Sequence, residues 1–154
     1  MTMATTGKGR FTFRSAGALF ILSAVFELFS LTDGVPLFGA IRGGSVAVVY
    51  HLIYTALFVI MGIGLWDGKR WGDKAVMAAT VFYTVDHVLR LLSPATLADY
   101  MFQDLSSYAG LFLPVGKQMF RQLAELMALL FLACWWAFAW YTYAQRDYFR
   151  ANGK

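Results

Sequence analysis

Long apolar runs, separated by short polar and turn-forming segments, make up most of this chain. The runs extend approximately over Phe11–Leu31, Ser45–Trp66, Ala75–Leu92 and Met119–Tyr143. Each comes close to the roughly 20 residues that an α-helix needs to cross the hydrocarbon core of a bilayer. The pattern therefore predicts an all-α integral membrane protein, in which residues 1–154 form one polytopic domain built as an antiparallel four-helix bundle.

The linkers between the runs indicate how the spans connect. The segment Asp67–Asp73 is short and rich in turn-forming residues, so the second and third spans should pack as a helical hairpin. Thr32–Gly44 is predicted to be a turn-rich outer connector, and Pro94 should end the third span. Apolar residues then recur at helical spacing over Leu97–Leu105, which predicts a short interfacial helix in the second outer loop. An irregular loop is the alternative, because serines and a glycine soon interrupt the pattern.

Composition strengthens the membrane prediction. Hydrophobic residues make up 59% of the chain and charged residues only 14%, whereas soluble proteins carry about 25% charged residues. The single cysteine, Cys134, has no partner for an intrachain disulfide, so the fold cannot depend on one. The first apolar run is longer than the hydrophobic region of a secretory signal, and we therefore expect it to be retained as the first span.

Basic residues are distributed unevenly between the two ends of the predicted spans. Nine of the 13 lysines and arginines fall before or in the first turn of span one, between spans two and three or after span four, where three acidic residues accompany them. The remaining segments carry four basic and six acidic residues. Positive charge marks the cytoplasmic side, so both termini should be cytoplasmic, in a plasma or bacterial inner membrane. The net charge of +4 then follows from topology and contact with the lipid bilayer, and it gives no reason to expect binding of nucleic acid.

Ionisable side chains inside the apolar runs form the candidate site. Glu27, His51, Asp86, His87 and Glu125 all lie within a few residues of the predicted outer ends of their spans. At the helical rise, these positions fall roughly 6–9 Å below the outer boundary of the membrane. Polar groups at that depth are costly, and they are by default candidates for a functional site.

Spans two, three and four also offer supporting side chains one turn away from these groups, on the same face as the group that each supports. The resulting pairs are His51 with Tyr54, His87 with Tyr83, Asp86 with Arg90, and Glu125 with Arg121.

Several cofactors suit such residues. His51 and His87 lie at matched depth on neighbouring spans, and two histidines so placed can ligate a haem or a transition metal such as copper. Carboxylates and imidazoles inside a bundle also build two-metal sites, although the Glu-x-x-His spacing of those proteins is missing here. A layer open to the outside could equally bind a quinone head group or relay protons. Five ionisable groups exceed what simple helix pairing requires, so we expect a metal, haem or quinone site that supports redox chemistry.

The alternative hypothesis is a polar clasp, in which these residues only pair with one another across helices. The chain would then be a non-catalytic accessory or assembly subunit of a larger membrane complex, acting through other membrane subunits or self-association. Small residues such as Gly62, Gly64, Ala133 and Ala137 would mark close helix contacts. Ion or proton transport is a third class, and the scarcity of charge in the inner halves of the spans argues against it.

Overall fold

A computed structural model describes residues 9–92 and 117–152, and most of the described chain is helical. The predicted interfacial helix at Leu97–Leu105 and the predicted break at Pro94 lie outside the described residues. The helices are α1 (Arg10–Phe29), α2 (Ser45–Trp66), α3 (Gly72–Leu91), α4 (Lys117–Ala144) and α5 (Arg146–Asn152).

Three described helices are long and apolar enough to cross a membrane: α1, α2 and the segment Glu125–Ala144 of α4. Large apolar side chains are exposed along them, as lipid contact requires, and Phe29 at the end of α1 is 80% exposed. The prediction of helices long and apolar enough to span a membrane is confirmed for these three runs. The 20 residues of α3 include two acidic and two basic side chains, which keep its mean hydropathy below that of a typical span.

The connector between α1 and α2 contains a small β-hairpin, which the all-α prediction did not include. Its strands are β1 (Val35–Leu37) and β2 (Ala40–Arg42), and they pair antiparallel with Leu37 opposite Ala40. The two residues between the strands, Phe38 and Gly39, both have positive φ, which is the backbone geometry that favours two-residue hairpin turns. The sequence predicted only a turn-rich connector here, because strands of three residues leave almost no alternating pattern.

Helices α1 and α2 pack against each other at a point where two glycines meet. A Cβ atom on Gly17 would lie 2.8 Å from the carbonyl oxygen of Gly62 and 3.0 Å from the backbone nitrogen of Trp66. A Cβ on Gly62 would in turn lie 2.6 Å from the side chain of Ile21. The absence of side chains at Gly17 and Gly62 is what lets the two backbones approach so closely, as small residues do in membrane helix pairs.

The main apolar core lies at the end of the molecule that contains α5, which we call the Phe149 end. Phe149 is fully buried there, and its ring centroid lies 4.8 Å from that of Phe13 in α1. The core collects residues from the start of α1, the end of α2, the start of α3, the later part of α4, and α5. Its buried members are Phe13, Met61, Leu65, Val76, Ala79, Ala139 and Phe149.

Candidate functional site

The first half of α2 presents three polar rings to its neighbours at the other end of the molecule. Tyr50 and Tyr54 are four residues apart, so they lie on one face of the helix, and this face is turned towards α3. His51 points about 100° away from Tyr50 around the helix axis, towards α1. One stretch of helix therefore supplies side chains to two different interhelical contacts.

The first contact centres on Asp86 of α3, whose side chain is only 6% exposed. Its Oδ2 atom accepts a hydrogen bond from the hydroxyl of Tyr54 at 2.7 Å and another from the hydroxyl of Tyr50 at 2.9 Å. The Arg90 guanidinium lies 2.9 Å from the same oxygen and also donates to the Tyr50 hydroxyl. We call these four residues the Asp86 cluster. In this cluster, the buried carboxylate forms an ion pair with a guanidinium one turn away on α3, and it accepts hydrogen bonds from two hydroxyl groups of α2.

The second contact joins α1 to α2 through Glu27 and His51. The Nδ1 atom of His51 lies 2.6 Å from Oε2 of Glu27, and an ionised carboxylate can only accept, so the imidazole donates. His51 is 5% exposed, and its other ring nitrogen, Nε2, is buried with no hydrogen-bond partner in the described chain. The pair leaves one imidazole nitrogen with unused bonding capacity.

His87 lies elsewhere, where α3 meets α4. Its ring stacks on Tyr83 with centroids 3.9 Å apart, and Tyr83 in turn stacks on Trp135 of α4 at 4.5 Å. The Nδ1 atom of His87 is 3.9 Å from the Asp86 carboxylate, beyond hydrogen-bond distance, and it is buried without a partner in the described residues. A neighbouring bond, from Trp136 Nε1 to the Thr84 hydroxyl at 3.0 Å, also links α3 to α4.

The candidate residues thus divide between separate contacts. His51 is paired towards α1, whereas His87 is stacked towards α4. Glu125 lies in α4 and is half-buried, and the side chain of Arg121, its predicted partner, lies outside the described part of the chain. Within residues 9–92 and 117–152, no group of three or more His, Cys, Asp or Glu side chains is placed to hold a metal ion.

Tyr50 is the functional candidate that sequence reasoning missed. Its signal was present, because it precedes Tyr54 by one helical turn and must share its face. The sequence linked Tyr54 to His51 on the same helix, whereas the structure directs the Tyr54 hydroxyl across to Asp86. Spacing within one helix reveals a shared face but does not identify what the neighbouring helix presents to it.

The chain matches no protein-family model, and comparisons with curated proteins and with solved structures likewise find no match.

Proposed function

We propose that the chain is an integral membrane protein in which α3 joins the three apolar helices as a fourth span of an antiparallel bundle. Support comes from both ends of α3. Its start packs beside Gly64 and Phe149, and its end bonds to Tyr54 and Trp136. The start of α3 therefore contacts α2 and α5, and its later part contacts α2 and α4, so α3 runs alongside α2. The Asp86–Arg90 pair, matched internally, makes the passage of α3 through hydrocarbon less costly.

In this arrangement, the Phe149 end faces the cytoplasm and the Asp86 cluster lies beneath the outer surface of a plasma or bacterial inner membrane. The unequal distribution of basic residues supports this orientation.

The polar layer in this proposal is a clasp, and the protein is a non-catalytic accessory or assembly subunit of a larger membrane complex. One observation carries the proposal: Oδ2 of Asp86 accepts hydrogen bonds from Tyr50 and Tyr54, and Arg90 of the same chain balances its charge. A carboxylate whose charge is matched and whose Oδ2 already has three donors attracts a metal ion or a cationic substrate less than a free carboxylate does. The hydrogen bonds that Asp86 accepts instead join α3 to α2.

The test is a native-state analysis of the wild type and of Asp86→Asn. In mild detergent, we expect the wild type to be colourless and free of stoichiometric metal, and to migrate in an assembly larger than the 17.2 kDa chain in its micelle. Asp86→Asn should insert into the membrane but lose stability and assemble less. A stoichiometric haem, metal or quinone in the purified wild type would contradict the clasp.

A second candidate function is a redox site that binds a metal, haem or quinone at His51, and one observation favours it. Glu27 holds the Nδ1 side of the ring, and the buried Nε2 has no partner in the described residues. A carboxylate behind a histidine is the common arrangement around metal-ligating imidazoles, where it fixes the ring and its tautomer.

A comparison of His51→Ala with His87→Ala distinguishes the clasp from the redox site. A site at His51 predicts that an optical or metal signal is present in the wild type, is lost in His51→Ala and survives in His87→Ala. The clasp predicts that neither the wild type nor either variant carries such a signal.

A further inference from the structure

A groove runs along the first turns of α2, beneath the β-hairpin. It has a volume of about 350 Å³, which lies within the range of about 300–1,000 Å³ typical of ligand sites. Its wall follows the i, i+4 face of the helix from turn to turn, and Leu37 at the end of β1 closes one side. The lining residues are Leu37, Ser45, Val46, Val49, Tyr50 and Ile53.

The groove is apolar along its length and polar only at its limits. Val46, Val49 and Ile53 line it while remaining more than two-fifths exposed, so an occupant would cover apolar surface that the protein itself leaves open. The hydroxyl of Ser45 marks the start of α2. Arg42, an exposed cation at the end of β2, precedes Ser45 by three residues in the chain.

We propose that this groove binds one acyl chain of an anionic phospholipid, with the lipid phosphate beside Arg42 and Ser45. The groove lies on a helix that is long and apolar enough to span a bilayer, next to the extramembrane hairpin. An amphiphile there meets apolar surface along the helix and a cation at the point where its head group emerges. In an anionic phospholipid the negative charge of the phosphate diester is left to pair with Arg42, whereas in phosphatidylcholine the choline ammonium already offsets that charge.

The site also touches the Asp86 cluster without being part of it. The ring of Tyr50 lines the groove, while its hydroxyl donates to Asp86 on the other side. A lipid chain lying against that ring would restrict it in the position where the hydroxyl reaches the carboxylate. The proposal rests on the membrane placement of α2, but it does not depend on whether the Asp86 cluster is a clasp.

The test uses full-length protein, freed of lipid in detergent and titrated with phosphatidylglycerol or with phosphatidylcholine of the same acyl chains. Bound lipid is counted by native mass spectrometry. We expect one tightly bound phosphatidylglycerol and weaker binding of phosphatidylcholine. Val49→Trp, which fills the groove, should weaken phosphatidylglycerol binding at least about tenfold. Arg42→Gln should remove the preference for the anionic lipid and leave phosphatidylcholine binding unchanged.

Two further variants separate groove occupancy from general effects. Val81→Trp adds the same side chain at an exposed position of α3 outside the groove, and it should bind phosphatidylglycerol as the wild type does. Tyr50→Phe removes the hydroxyl from the Asp86 cluster but keeps the ring in the groove, so it should lose stability while still binding lipid. Equal affinities of Val49→Trp and Val81→Trp for phosphatidylglycerol, or a wild type without preference between the two lipids, would overturn the proposal.

Discussion

At the scale of single residues, one oxygen atom carries much of the contact between α2 and α3. Oδ2 of Asp86 accepts from Tyr50, Tyr54 and Arg90, all within 2.9 Å. Removing the carboxylate charge leaves the guanidinium of Arg90 without its counter-charge in a largely buried place. Breaking a buried ion pair from one side costs more than losing a neutral hydrogen bond, because the remaining charge is no longer compensated.

Asp86→Asn should therefore destabilise the protein by about 3–5 kcal/mol. Tyr54→Phe should cost about 1.5–3 kcal/mol, since it removes one donor from a charged acceptor but leaves the ion pair intact. Thermal unfolding in detergent, followed by circular dichroism, measures both. Asp86→Asn combined with Arg90→Gln is the matched control and should recover part of the loss, because no charge is left unpaired. A double variant less stable than Asp86→Asn alone would contradict this account.

The Glu27–His51 pair permits a similar test across the contact of α1 with α2. Glu27→Gln and His51→Gln should each lower stability, and their combination should cost less than the sum of the two. The interaction energy from this double-mutant cycle should be about 0.5–2 kcal/mol, as for other interhelical polar contacts in membranes. Strict additivity would mean that the 2.6 Å contact contributes nothing to the fold.

At the scale of helices, the crossing of α1 and α2 depends on the two glycines at their closest approach. Gly17→Leu cannot be accommodated without moving the helices apart, because even a Cβ there would lie 2.8 Å from the backbone of α2. We expect a loss of about 1–3 kcal/mol or more, as for other overpacked interiors. Gly43→Ala is the control, since a Cβ at Gly43 meets nothing within 4 Å. Unfolding of the purified variants in detergent compares the two, and equal stability would refute the close crossing.

The sequence was informative about which residues form helices, and much less about which faces meet. Runs of apolar residues predicted α1, α2 and the apolar part of α4, because hydrocarbon imposes length and composition on any spanning helix. Gly62 was correctly predicted to mark a close contact, whereas Ala133 and Ala137 are exposed. Small residues permit a close approach, but the rotation of each helix about its axis decides whether another backbone occupies the space.

The same limit applies to the candidate site. Equal depth suggested that His51 and His87 face each other, yet His51 contacts Glu27 of α1, whereas the ring of His87 stacks on Tyr83 of its own helix. The Asp86–Arg90 spacing, in contrast, is realised as an ion pair, because both groups lie on one helix and their separation is fixed by its geometry. Contacts within a helix can be predicted from spacing, whereas contacts between helices require the three-dimensional packing.

At the scale of the whole molecule, the proposed topology makes a labelling prediction. In a Cys134→Ser background, single cysteines are placed at Thr32, Lys69 and Met119, and intact cells are treated with a membrane-impermeant maleimide. We expect labelling from outside at positions 32 and 119, and at position 69 only after permeabilisation. Positions 32 and 69 test the passage of α2, and positions 69 and 119 test that of α3. Labelling of 69 and 119 from the same side would show that α3 does not cross.

The burial of Phe149 against Phe13 has a consequence for synthesis of the chain. The two rings pack at 4.8 Å, yet 136 positions of sequence separate them. Ribosomes add about 5–20 residues each second, so Phe13 emerges roughly 7–27 s before its partner. Throughout that interval, Phe13 in α1 lacks the ring of Phe149 against which it packs in the finished protein. A nascent chain stalled before α5 should therefore remain open to proteases and insertion factors at its Phe149 end, and release from the ribosome should close it.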